Sequence, residues 1–178
     1  VFMQSGYNVY SLQQAARLVR EERPAVRAVI ALPSMIDRVV RGFEPERRLR
    51  HVDIVVTSEV PPAHLVLPDE KLLSAALTAA LISTLALVEG LAAARVTIVA
   101  GVTPARGMSL AVMQEHVRPA AAWLERAFDP SWTDRPGGLA AAVSMAAVRR
   151  VALAHGGDAI AVGTARGSRV ALTIPAGA

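Results

Sequence analysis

Four histidines, two tryptophans, a set of small hydroxyls and 19 basic residues are the side chains from which this sequence could build chemistry. Cysteine is absent, which removes thiolate metal sites, disulfides and cysteine nucleophiles and fits an intracellular protein. His51, His64, His116 and His155 stand far apart, and no pair has metal-ligand spacing beside a carboxylate, so no metal site is expected. No serine sits in a nucleophile elbow and no acidic pair is spaced for acid–base work, so no catalytic residue is assigned. His155 precedes Gly156-Gly157 at the end of an apolar run. There its donors and charge suit a helix C-terminus, and Gly156 can adopt the left-handed cap. Trp123 and Trp132 flank a loop and read as packing residues. Ser74, Thr78, Ser83 and Thr84 lie in an alanine-rich stretch and read as hydroxyls bonding back to their own helix. Arg149 and Arg150 read as a solvated helix face.

The net charge of +4 rests almost wholly on arginine, Lys71 being the single lysine. Arg47, Arg48 and Arg50 form one basic run that could meet nucleic acid. The other arginines are scattered, and an aromatic content of 4% offers little for base stacking. Nucleic-acid binding is therefore the minor alternative.

These residues need elements to position them. Ser11-Leu12-Gln13-Gln14 has the form of a capping box, followed by Leu12, Ala15, Ala16 and Val19 at helical spacing, with Pro24 disfavouring continuation. A second helix is expected from Pro33-Ser34 through Ile36, Val39 and Val40 to Gly42, making residues 1–47 a helical arm. After a charged bend at Glu44–Arg50 the period changes. Strands are expected at His51–Thr57 and His64–Leu67, the latter after a turn at Val60-Pro61-Pro62. Asp69 opens a long apolar helix to about Val88, whose charge-free part, Leu72–Val88, is shorter than the ~20 apolar residues a membrane span needs and so is read as core. Strands at Arg95–Ala100 and Met108–Met113 follow, then a helix at Arg118–Ala127, a loop at Phe128–Gly138, a helix at Leu139–Ala154, and a closing hairpin of Asp158–Gly163 with Ser168–Ile174. Hairpins interleaved with helices predict a two-layer α/β sandwich over residues 48–178, a mixed sheet with one face covered by helices.

Several stretches carry a family likeness. Val148-Arg149-Arg150-Val151 with Ala154-His155-Gly156-Gly157, then Ser168–Pro175, resemble the last helix and closing strand of the ATP-binding domain of bacterial sensor histidine kinases, the GHKL (Bergerat) ATPase fold. Leu67-Pro68-Asp69 with Leu73, Leu77 and Leu81 is similar to the start of that family's metal-binding helix, and Phe128-Asp129-Pro130 resembles a further family motif. The resemblance implies where nucleotide chemistry belongs. The Mg²⁺-binding Asn falls at about Ser83 and an earlier Asn or Glu near Ala79. The adenine-reading Asp-x-Gly falls at about Gln114 and His116. The phosphate-wrapping glycines fall near Ala142–Met145, with Gly137-Gly138 several residues early. A carboxylate lost from a desolvated adenine site costs ~1.5–3 kcal/mol, tenfold or more in affinity. Residues 1–45 also lack the phospho-accepting histidine of the family's dimerisation region.

The expectation is a catalytically silent histidine-kinase-like domain in the cytoplasm, without cofactor, used in two-component-type signalling. Its partners would be a second copy, through Leu12, Ala16, Val19, Ile36, Val39 and Val40 of the arm, and a kinase or response regulator. The alternative is an active kinase or ATPase holding ATP–Mg²⁺ at Ser83, Gln114, Gly137 and Gly138. The chain begins at Val1 without an initiator methionine, as a fragment of a longer protein would.

Overall fold

The computed structural model describes residues 6–20, 25–26, 28–60 and 68–176, with the backbone alone for residues 6–12. The expected turn at Pro61-Pro62, the strand His64–Leu67, the histidine within it and Pro24 lie outside the described residues. So does the side chain of Leu12.

The chain forms a two-layer α/β sandwich. Helices α1 (Gly6–Arg20), α2 (Leu32–Gly42) and α3 (Glu44–Arg50) lead into β1 (Asp53–Ser58). Helix α4 (Glu70–Leu87), strands β2 (Arg95–Val102) and β3 (Met108–Gln114), α5 (Ala121–Glu125), α6 (Gly138–Ala154), β4 (Asp158–Gly163) and β5 (Ser168–Ile174) complete it. The five strands run in the order β1-β2-β3-β5-β4, with β1 parallel to β2 and the other pairs antiparallel. Alternation along each strand sends Ile54, Val96, Ile98, Leu110, Val112, Val170 and Leu172 to one buried face. Helices α4 and α6 supply the opposing layer.

Helix α4 is apolar around nearly its whole circumference, the mark of a helix buried on all sides. Its N-cap Asp69 accepts from the amides of Lys71 and Leu72 and holds the Val26 amide at 3.0 Å. One flank meets α6, another meets β3, and α1 and α2 close the outside. By length and composition it could cross a membrane, but 72% of that window is buried inside this fold.

Four expectations change. Helix α1 begins at Gly6 and runs through Ser11, so Ser11–Gln14 lies in the helix interior and not at its start. The bend at 44–50 is helix α3, with Glu44 and Glu46 in its first turn, arginines in its last and His51 closing it at φ 53°. That charge order complements the helix dipole without any apolar period to announce it. The helix expected at 118–127 shrinks to Ala121–Glu125, because Pro119 disfavours helical backbone in the residue before it. Finally, α2 is no free arm. Its stripe Leu32, Met35, Ile36 and Val39 is buried in the same core as the sandwich, against α4. Ile36 and Val39 are thus withdrawn from any partner surface, whereas Ala16, Val19 and Val40 stay half-buried.

Candidate functional site

The place assigned to nucleotide lies where the second half of α4, the end of β3 and the start of α6 converge. Of the anticipated residues there, Ser83 and Gln114 are buried and Gly137 is tightly packed, whereas Gly138 is not. Gln114 ends β3 with a side chain 1% exposed. Its Nε2 donates to the Val117 carbonyl at 2.5 Å and to Ser168 Oγ at 3.0 Å. Its Oε1 accepts from the amides of His116 and Val117, both at 2.8 Å. A primary amide has two donor hydrogens and two principal lone pairs. All are used to close the turn after β3 and tie it to β5, leaving nothing with which to read a base. Gly167 completes the knot: a Cβ there would lie 1.8 Å from the Gln114 carbonyl oxygen, so only glycine lets the β4–β5 turn approach.

Of the two glycines at the start of α6, Gly137 is similarly committed. Gly137 holds φ at +80°, and a Cβ on it would sit 2.7 Å from the Ala86 Cβ and 2.8 Å from the Ala141 Cβ. Its lack of a side chain seats α6 on α4. Ala141, Ala142, Ser144 and Met145, where a phosphate-wrapping loop would need open backbone, are at most 1% exposed. Gly138 has room beside it, its nearest neighbour being the Thr133 carbonyl oxygen at 3.9 Å.

Ser83 lies on α4, 1% exposed, and its Oγ has no hydrogen-bond partner among the described residues. The expected bond back to its own helix is therefore not made there. A single buried hydroxyl is a poor cation ligand, since Mg²⁺ demands several oxygens in octahedral array. Ala79, at the earlier motif position, is buried too. Among the described residues no group of three or more His, Asp or Glu could hold a metal ion.

The segment from Glu115 to Gly137 carries a small cluster of its own that sequence reasoning missed. The guanidinium of Arg135 lies 5.4 Å from the Trp123 ring centre and 5.1 Å from that of Trp132, and Nη1 donates to the Ala127 carbonyl at 2.7 Å. Burial pushes its pKa down to about 10. Its Nε and Nη2 find no acceptor among the described residues. Beside it Asp129 accepts from Ser131 Oγ and N and from Arg126, which together hold its carboxyl down at about 2. The tryptophans pack, as their positions suggested. The signal overlooked was Arg135 itself, four residues from Ser131 in a loop that reads as solvent-exposed.

The histidines are structural wherever they are described. His155 is fully buried; its Nδ1 bonds the Val151 carbonyl and its Nε2 accepts the Asp69 amide, both at 2.8 Å. That tautomer pins the end of α6 to the start of α4, a role for ring acceptor and donor rather than for the charge expected at a helix end. Gly156 takes the anticipated positive φ of 75°. His116 Nε2 accepts the Arg95 amide. The basic run is neutralised within the chain: Arg47 pairs with Glu44 and Asp53, Arg48 with Glu44, and Arg50 with Glu89. Arg149 spans Asp158 at 3.7 Å and the Phe128 ring. A cavity of about 620 Å³ lies elsewhere, between residues 26–30 and the first half of α4, and Ser83, Gln114, Gly137 and Gly138 are not among its lining.

No protein-family model matches the sequence, and no curated protein matches it. Solved structures do. The catalytic domain of the histidine kinase ThkA superimposes with a TM-score of 0.72 at 15% identity, covering 85% of this chain and 96% of that one. Full-length ShkA in complex with AMPPNP gives 0.76 at 21% identity, covering 96% of this chain, which spans only 36% of ShkA. ThkA in complex with the response regulator TrrA gives 0.71 at 16%, covering 94% of this chain and 47% of that one. At such identities the likeness is one of fold: this chain has the fold of a histidine-kinase catalytic domain. The ThkA domain covers more of the chain than residues 48–178 supply, in keeping with α2 packing into the sandwich.

Proposed function

We propose that this domain is a histidine-kinase-like module that does not hold ATP in the manner of its structural neighbours and serves as a protein-binding unit in cytoplasmic two-component-type signalling. The observation that carries this is Gln114. An amide with all four bonding positions engaged, in the place of an adenine-reading carboxylate, is a fastener for β3 and β5. The tight seat of Gly137 on Ala86 supports the same reading, since it closes the helix pair where phosphates would enter. The partner proposed is a response regulator or a kinase, by analogy with the ThkA–TrrA complex. The unit that folds together is taken to include both α1 and α2, since α1 packs on α4 and α6 and α2 on α4.

Calorimetric titration of ATP–Mg²⁺ into the protein tests this. The expected result is no heat of binding up to millimolar nucleotide; saturable binding in the micromolar range overturns the proposal.

A further inference from the structure

Helices α4 and α6 cover one face of the sheet, and no described helix packs on the other. Cross-strand register places on it three rows of side chains. The first is Val55, Thr97, Met113, Arg169 and Val162; the second is Thr57, Val99, Ala111, Ala171 and Ile160; the third is Gly101, Ser109, Thr173 and Asp158. A sheet face left to water normally alternates to polar residues. Here the middle row is apolar apart from Thr57; Ala111 and Ala171 are buried between their neighbours at its centre, Val99 is half-buried, and Ile160 and Val162 are 50% and 40% exposed on the edge strand β4. That strand lacks the lysine, proline or inward charge that ordinarily protects a sheet edge. Charge is confined to opposite ends: Arg169 in the first row, Asp158 in the third. Arg169 Nε is shielded from water with no acceptor among the described residues. Asp158 Oδ1 accepts the Ala159 amide at 2.8 Å and reaches Arg149 at 3.7 Å, which leaves Oδ2 for a further partner.

We infer that this face binds a second copy of the chain, sheet against sheet. A twofold axis lying in the interface across the strands sets the middle rows on each other and reverses the strand direction. Arg169 of one copy then stands over Thr173 of the other, and Asp158 is the register partner of Thr173, so each arginine meets the other copy's carboxylate. Within one chain the two cannot meet, because four strand residues, ~13 Å, separate their rows. Two twisted sheets stack in this way about 10 Å apart at roughly 30°. Five strands about 4.8 Å apart and three rows deep give a footprint of roughly 500 Å² per copy. The total of about 1,000 Å² is what a specific interface must clear. The isologous contact needs no other chemistry. It is independent of nucleotide binding, so neither result decides the other.

Analytical ultracentrifugation of the whole chain, over about two decades of concentration around micromolar, is the test. A reversible monomer–dimer equilibrium is expected, weakened tenfold or more by Ile160→Glu or Val162→Lys, both at exposed positions outside the core. Arg169→Asp and Asp158→Arg should each weaken it by about tenfold, and the double exchange should restore it. Circular dichroism confirms that each variant is folded. A monomer throughout the range overturns the inference. So does a dimer indifferent to Ile160→Glu and Val162→Lys, as association through α1 would be, or a double exchange without recovery.

Discussion

Gln114→Asp separates a structural fastener from a vacated adenine reader. Aspartate restores the carboxylate that the resemblance expects, so a residual nucleotide pocket would tolerate it and gain affinity. The fold demands the opposite. The side chain is 1% exposed, and aspartate is one methylene shorter and has no donor. The Val117 carbonyl and Ser168 Oγ lose their hydrogen bonds, and a negative charge is left facing a carbonyl oxygen. A buried polar group left unsatisfied costs about 1–3 kcal/mol. With two partners stranded, a loss of about 3 kcal/mol is expected, well beyond the ~0.5 kcal/mol of an ordinary surface change. For a domain of this size that lowers Tm by roughly 6–12 °C. Urea unfolding followed by circular dichroism should show an earlier midpoint at unchanged slope, and ATP–Mg²⁺ should bind no better than to the parent. A variant within ~0.5 kcal/mol of the parent that also gains ATP binding refutes the reasoning.

Three further outcomes are expected. Ser83→Ala removes a hydroxyl that is buried without a partner among the described residues, so urea unfolding should show stability unchanged or raised by up to ~1 kcal/mol; a clear loss would give that hydroxyl a role. Arg135→Met should hold stability within about 1 kcal/mol or raise it, since an apolar side chain often replaces a poorly paired buried cation without loss. Trp123→Ala in the same cluster should cost ~3–5 kcal/mol, and equal losses for the two variants would contradict this account of Arg135. For Asp129 the folded carboxyl sits at about 2 against an ordinary 3.8, through Ser131 Oγ first and then Arg126. The unfolded chain therefore takes up the proton more readily. The contribution of Asp129 is present above about pH 3.8 and lost as pH falls through about 2. A carboxyl-carbon NMR titration reading an ordinary midpoint would count against the Ser131 and Arg126 contacts.

The sandwich was legible where periodicity is strong and ends are marked. Strands β2 to β5 alternate, Asp69 announces α4, and His155-Gly156 announces the end of α6, so these elements fall within a few residues of expectation. Helix α3 was hidden because seven residues with one exposed leucine have no apolar period. The attachment of α2 was hidden because an apolar stripe states that something covers it and not what; α4 does. At the site, sequence located Gln114 and Gly137 as departures from a nucleotide motif but not their use. Gln114 is explained only by Ser168, 54 residues away, and Gly137 only by Ala86. Arg135 looked like a loop charge because its cover comes from Trp132 of the same loop and Trp123 of α5, which only folding brings over it. The other sheet face was written in the alternation of each strand, but its continuity needs the register across five of them.

The central claim is that the fold occupies the nucleotide position. Its most direct measurement is the amide NMR spectrum of labelled protein as ATP–Mg²⁺ is added. The amides from Gln114 to Val117 and from Gly137 to Met145 should keep their positions up to millimolar nucleotide. Saturable shifts confined to those two stretches would contradict the claim.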